Sequence, residues 1–99
     1  MKTSIAIQIE PNMPNDREAV RVVDAVIDYI RSTGLHYYVG PCETAIEGDD
    51  LHQLLDILEH CVYVAAQAGS AKVSGYVKLV YKEEGSVLTI DEKVTKHHQ

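Results

Sequence analysis

Ninety-nine residues with a formal charge of −6 and a sequence pI near 5.2 suit one domain. They argue against nucleic acid or an anionic membrane as partner, since both select for clustered Lys and Arg. No run approaches the ~18 apolar residues of a membrane span. The start, MKTSIAIQIEP, lacks the long apolar run of a signal peptide, so a cytoplasmic protein is expected. Cys42 and Cys61 are then expected to be reduced and structural. A chain this short buries only about 60–65% of its unfolded surface, which makes association with a second copy a natural supplement.

TSIAIQIEP alternates. Ile5, Ile7 and Ile9 share one side and Ser4, Ala6 and Gln8 the other, the pattern of a half-buried strand ending at Pro11. Asn15 or Asp16 caps a helix, with Glu18 completing a possible capping box. Val20, Val23, Val26, Ile27 and Ile30 recur at helical spacing and form its expected buried stripe, and Gly34 stops it. LHYYVGP and ETAIEG are two short strands in a hairpin. Asp49 is the expected cap of a second helix, whose apolar face comprises Leu51, Leu54, Leu55, Leu58, Cys61, Val62 and Ala65 and which ends at Gly69.

KVSGYVKLVYK is the fourth strand, with Val73, Val77, Leu79 and Tyr81 on one side and Ser74, Tyr76, Lys78 and Val80 on the other. SVLTI reads as a possible short strand, and the residues from about 91 as a polar tail with room for one helical turn, its His97 and His98 solvated. The order β-α-β-β-α-β predicts a single-domain α+β fold, the ferredoxin-like sandwich: a four-stranded antiparallel sheet with two helices on one face. The other face is expected to be bare. It carries Ser4, Ala6, Gln8, Tyr38, Tyr76, Lys78 and Val80, a mixture that suits a subunit interface or a ligand platform.

Glu47 is the residue that most needs explaining. It ends the third strand, directly before Gly48 and the acidic pair Asp49-Asp50. Carboxylates there complement the dipole of the following helix by about 0.3–1 kcal/mol each and need no ligand. Alternatively, Glu47 reads an aminopyrimidine edge or a cation, with the Thr44 hydroxyl nearby. Tyr38 and Tyr76 offer rings on which a flat ligand can stack. His36, His52, His60 and the two cysteines show no zinc-ligand spacing, so no metal is expected. GPCETAIEG lacks the Lys-Ser/Thr ending of a phosphate loop.

Three segments, SIAIQIEP, VVDAVIDYIRSTGLHYYVGPCETAIEGD and VKLVYKEEGSVLTIDEKV, resemble the small thiamine-binding protein family over nearly the whole chain. The most specific part combines Gly34, the run Tyr37 to Pro41, and Thr44-x-x-Glu47-Gly48. The resemblance implies a ferredoxin-like fold assembled into dimers or tetramers. It also implies binding of thiamine or its hydroxymethylpyrimidine moiety, with no further cofactor and no catalytic activity. Its motif maps onto Thr44, Glu47 and Gly48, while Tyr38, Ser4 and Gln8 join the expected ligand set through strand parity alone. Two other readings stand beside this one. The chain can be a ligand-sensing or oligomerisation domain that regulates a partner protein. It can also be a small enzyme with His36 as its acid or base, although nothing pairs that histidine with an orienting group.

Overall fold

The computed structural model describes residues 1–98; Gln99, the end of the expected tail, lies outside them. Four strands, β1 (Thr3–Pro11), β2 (Tyr37–Val39), β3 (Thr44–Gly48) and β4 (Val73–Tyr81), form one sheet in the order β2-β3-β1-β4. Every neighbouring pair is antiparallel, with Ile5 opposite Ile46 and Leu79, and Tyr38 opposite Ala45. Helices α1 (Asp16–Ser32) and α2 (Leu51–Gln67) pack on one face. This is the ferredoxin-like arrangement read from the sequence. The β1 alternation dictates the core: Ile5 and Ile7 meet Ile46, Val22, Val26, Ile30, Leu54, Ile57, Cys61 and Ala65 between sheet and helices.

Both helices are capped locally. Asn15 Oδ1 accepts from Glu18 N–H at 2.9 Å, while the Glu18 side chain turns to Arg21 instead of closing a capping box. Asp50, not Asp49, caps α2, accepting from His52 N–H at 3.0 Å. The expected helix stripes are largely the covered ones, with Val23, Val26, Ile27 and Ile30 of α1 and Leu51, Leu54, Leu58, Cys61, Val62 and Ala65 of α2 buried or half-buried, but their centres shift. In α1 the buried residues are Val22, Val26 and Ile30, and Val20 is exposed. In α2 Ile57 takes the central position, while Leu55 is exposed. Valines at 20, 22 and 23 allow two phases of an i, i+4 stripe, and packing against the twisted sheet selects the one through Val22.

Gly75 is required by close approach, since a Cβ there would come 2.3 Å from the Gln8 carbonyl oxygen on β1. The strand expected at SVLTI is absent from the sheet. That segment makes one ladder-like bond, from Val87 N–H to the Met1 carbonyl at 2.8 Å, and then enters a short third helix, α3 (Ile90–Val94). A capping box at Thr89 and Glu92 starts α3, and a 3-10 turn at Thr95–His97 follows it. The expected bare face is therefore partly roofed. Val87 and Ile90 are buried, at 5% and 3% exposure, and fully burying such side chains is worth about 1.5–3 kcal/mol apiece. Ser4, which points to that face, is covered too. A polar tail lacks the apolar periodicity that announces a helix, so only Val87 and Ile90 could have signalled this docking.

Candidate functional site

The ladder register divides the sheet residues between the two faces. Ser4, Ala6, Gln8, Ala45, Glu47, Tyr38, Lys78 and Val80 share the face away from α1 and α2. Thr44 sits on the helix-covered face with Ile46 and Ile7. Glu47 and Thr44 are three positions apart on one strand, so period-2 alternation sends their side chains to opposite sides.

A cavity of about 500 Å³ opens between the sheet face and α3. Its floor is Ser4, Ala6, Ala45, Tyr38 and Val80; its roof is Ile90, Lys93 and Val94. The β2–β3 hairpin loop, Gly40 to Glu43, closes one side, and Lys78 reaches across to Glu43 with Nζ 3.2 Å from Oε1. The Tyr38 hydroxyl lies 2.8 Å from His98 Nε2, and the two rings are tilted at 49° with centroids 5.7 Å apart. His97 and His98 are exposed, as expected of the tail, and His98 also touches the cavity floor.

A smaller cavity of about 380 Å³ lies on the other side of the same hairpin loop, against Val20, Val23 and Ile27 of α1. Gln8 and Thr44 line this one, where the β1–β3 ladder stops at Ile7 and Thr44. Of the five residues expected to bind ligand, Ser4 and Tyr38 line the larger cavity and Gln8 and Thr44 the smaller. Glu47 lines neither. It is 4% exposed, and its Oε2 accepts the N–H of Ile90 at 2.8 Å. This carboxylate thus fastens the first residue of α3. A short contact from His36 Nε2 to Asp91 Oδ1, 3.4 Å, lies at the same end of the helix.

The roof has its own electrostatics. The N–H of Thr89 donates to Glu92 Oε1 at 3.0 Å, and this bond holds the Glu92 carboxyl below the usual range. The two cysteines differ in exposure. Cys42 is exposed on the hairpin loop, while burial pushes the Cys61 thiol up to about 12, which keeps it protonated and inert. Away from both cavities, Asp56, Glu59 and His60 share an exposed face of α2 with one ligand atom each within 4.8 Å. The His60 ring there is stacked on Tyr29, and its Nδ1 is 2.8 Å from the Asp56 carbonyl oxygen.

Sequence reasoning missed Lys93, Val94 and the Gly40–Glu43 loop as cavity walls. The loop lies between two recognised strands and was findable by proximity to Tyr38. The α3 residues carried no such signal. The larger cavity combines an apolar floor, one phenol ring and a few charged groups at its rim. It suits a small, flat, partly polar molecule.

Among the described residues no helix is long and apolar enough to cross a membrane. The fold and the cavity define a small α+β ligand-binding module. Residues 5–98 match the model of the family described as thiamine-binding protein, and the chain belongs to that family. It is 39% identical over 94 residues to a UPF0045 protein of Clostridium perfringens, covering 95% of each chain. A Bacillus cereus structure described as a domain of unknown function, DUF77, superposes with a TM-score of 0.85 at 31% identity, covering 98% of this chain and 90% of that one. A Thermotoga maritima structure described as a candidate thiamine biosynthesis/salvage protein superposes with a TM-score of 0.83 at 29% identity, covering 98% and 99%.

Proposed function

We propose that this protein binds thiamine or its hydroxymethylpyrimidine moiety without transforming it, as a carrier, buffer or sensor in thiamine metabolism. The observation that carries this reading is the cavity of about 500 Å³ between the sheet and α3, in a chain of the thiamine-binding family. Small-molecule sites commonly enclose about 300–1,000 Å³ and are mostly apolar with a few polar groups. An aminopyrimidine is flat, so it can stack on Tyr38 and lie against Ala6 and Val80. Ser4 offers a hydroxyl at its edge. Glu47 serves the same site from behind, by holding the roof over it. Gln8 and Thr44 flank the second cavity, which shares the hairpin loop. The protein works in the cytoplasm as a dimer or tetramer and needs no cofactor beyond its ligand.

Isothermal titration with thiamine, its phosphates and hydroxymethylpyrimidine tests this. Saturable binding is expected in wild type, weakened about tenfold or more in Tyr38→Ala through loss of a stacked ring. Absence of binding by every one of these compounds refutes it. The alternative, a domain that oligomerises or docks to regulate a partner protein, is favoured by one feature of the sheet. The edge strand β4 leaves Val77, Leu79, Val80 and Tyr81 exposed.

A further inference from the structure

The charges around the larger cavity do not match those of the whole chain. The protein carries a formal charge of −6, yet the charged side chains lining the cavity are Lys78, Lys93 and Glu43. Glu43 is matched to Lys78 across the cavity mouth, 3.2 Å apart. Lys93, on the roof helix, has no carboxylate within ion-pair distance among the described residues. Glu47, a buried carboxylate of the sheet face, is outside the lining, and its Oε2 accepts the Ile90 N–H. An apolar floor accepts a neutral flat ring, and one unmatched cation at the rim adds nothing to the binding of that ring alone. The combination is a good match for a flat ring bearing an anionic group that projects toward the mouth.

We infer that the cavity selects the anionic, phosphate-ester form of its heteroaromatic ligand over the free alcohol, with Lys93 and Lys78 as the groups that receive the phosphate. This rests on the assignment of the thiamine-type site to this cavity. The ring occupies the floor at Tyr38, and the ester lies between the roof lysine and the Lys78–Glu43 pair. A lysine serves a phosphate as a point charge with rotatable donors, so no preformed loop is needed. Phosphate of thiamine and phosphate of hydroxymethylpyrimidine present the same group, and the two are separated by titrating each.

The test compares matched pairs by isothermal titration at low and high salt: thiamine with thiamine monophosphate, and hydroxymethylpyrimidine with its phosphate. Wild type, Lys93→Ala, Lys78→Ala and Lys72→Ala are used; Lys72 lies in the loop between α2 and β4 and removes the same charge away from the cavity. In at least one pair the phosphate ester is expected to bind about three- to tenfold more tightly than the alcohol at low salt, an advantage that shrinks as salt rises. Lys93→Ala is expected to abolish the advantage by weakening the ester more than the alcohol, and Lys72→Ala preserves it. Binding of an alcohol with no gain for its ester, or a gain untouched by both cavity substitutions, overturns the inference and leaves the thiamine-type assignment standing. No binding of either pair overturns that assignment together with the inference.

Discussion

Glu47 fastens a segment forty-three residues away, and its physics follows from burial. A carboxylate in such a place must be hydrogen-bonded, and a backbone N–H withdrawn from water must find an acceptor. Each group solves the other's problem at 2.8 Å. Glu47→Ala leaves the Ile90 N–H without its partner and a small void beside Ser4. We expect a loss of about 1–3 kcal/mol in thermal unfolding, with faster amide exchange at Ile90. Glu47→Gln keeps an acceptor oxygen and is expected to lose clearly less. Equal losses in the two variants would mean that the negative charge, and not the acceptor, matters here.

At the scale of elements, β1 and its partners were legible because Ile5, Ile7 and Ile9 alternate without a break, and a one-residue slip would expose all three. The open-face set of Ser4, Ala6, Gln8, Tyr38, Lys78 and Val80 followed from that parity. The helix stripes were legible except at their edges, since Val26, Ile30, Leu54, Cys61 and Ala65 are buried as expected while Val22 and Ile57 take places given to Val20 and Leu55. The roof was not legible. Five residues are too few to show a period, and Ile90 finds its burial against a strand far away in sequence. Such a helix stands on its capping box. Because the bond from the Thr89 N–H lowers the Glu92 pKa from the ordinary 4.5, its stabilisation is complete above that value and is lost as pH falls through 4.5 and on through the lowered one. NMR shifts of residues 90–94 are therefore expected to move toward random coil in that acid window before the β1 amides respond. Thr89→Ala removes the other half of the box and shifts the same loss toward neutral pH.

At the scale of the whole molecule the sheet has two edges of different character. The β2 edge is three residues long and adjoins the hairpin loop. The β4 edge is nine residues long, with both of its faces largely uncovered. Val77 and Leu79 share the side of Ile7 and Ile5, yet they are 45% and 47% exposed, because α1 and α2 stop short of the last strand. Lys78 is the single charge within β4, and it turns toward the cavity and Glu43. A long, apolar edge with free N–H and C=O groups pairs with another chain unless charge or proline blunts it. Antiparallel pairing of two β4 strands would extend the sheet across a twofold axis and cover Leu79 from both copies. Sedimentation of wild type is expected to give a dimer or a larger even assembly, with a melting temperature that rises with protein concentration. Leu79→Lys adds a buried charge at that edge and should shift the protein toward monomer while leaving Ile5, Ile46 and the core intact. A wild type that stays monomeric at every concentration would remove self-pairing through β4. The exposed valines would then have to be covered by a different chain, the outcome expected of a domain that docks on a partner.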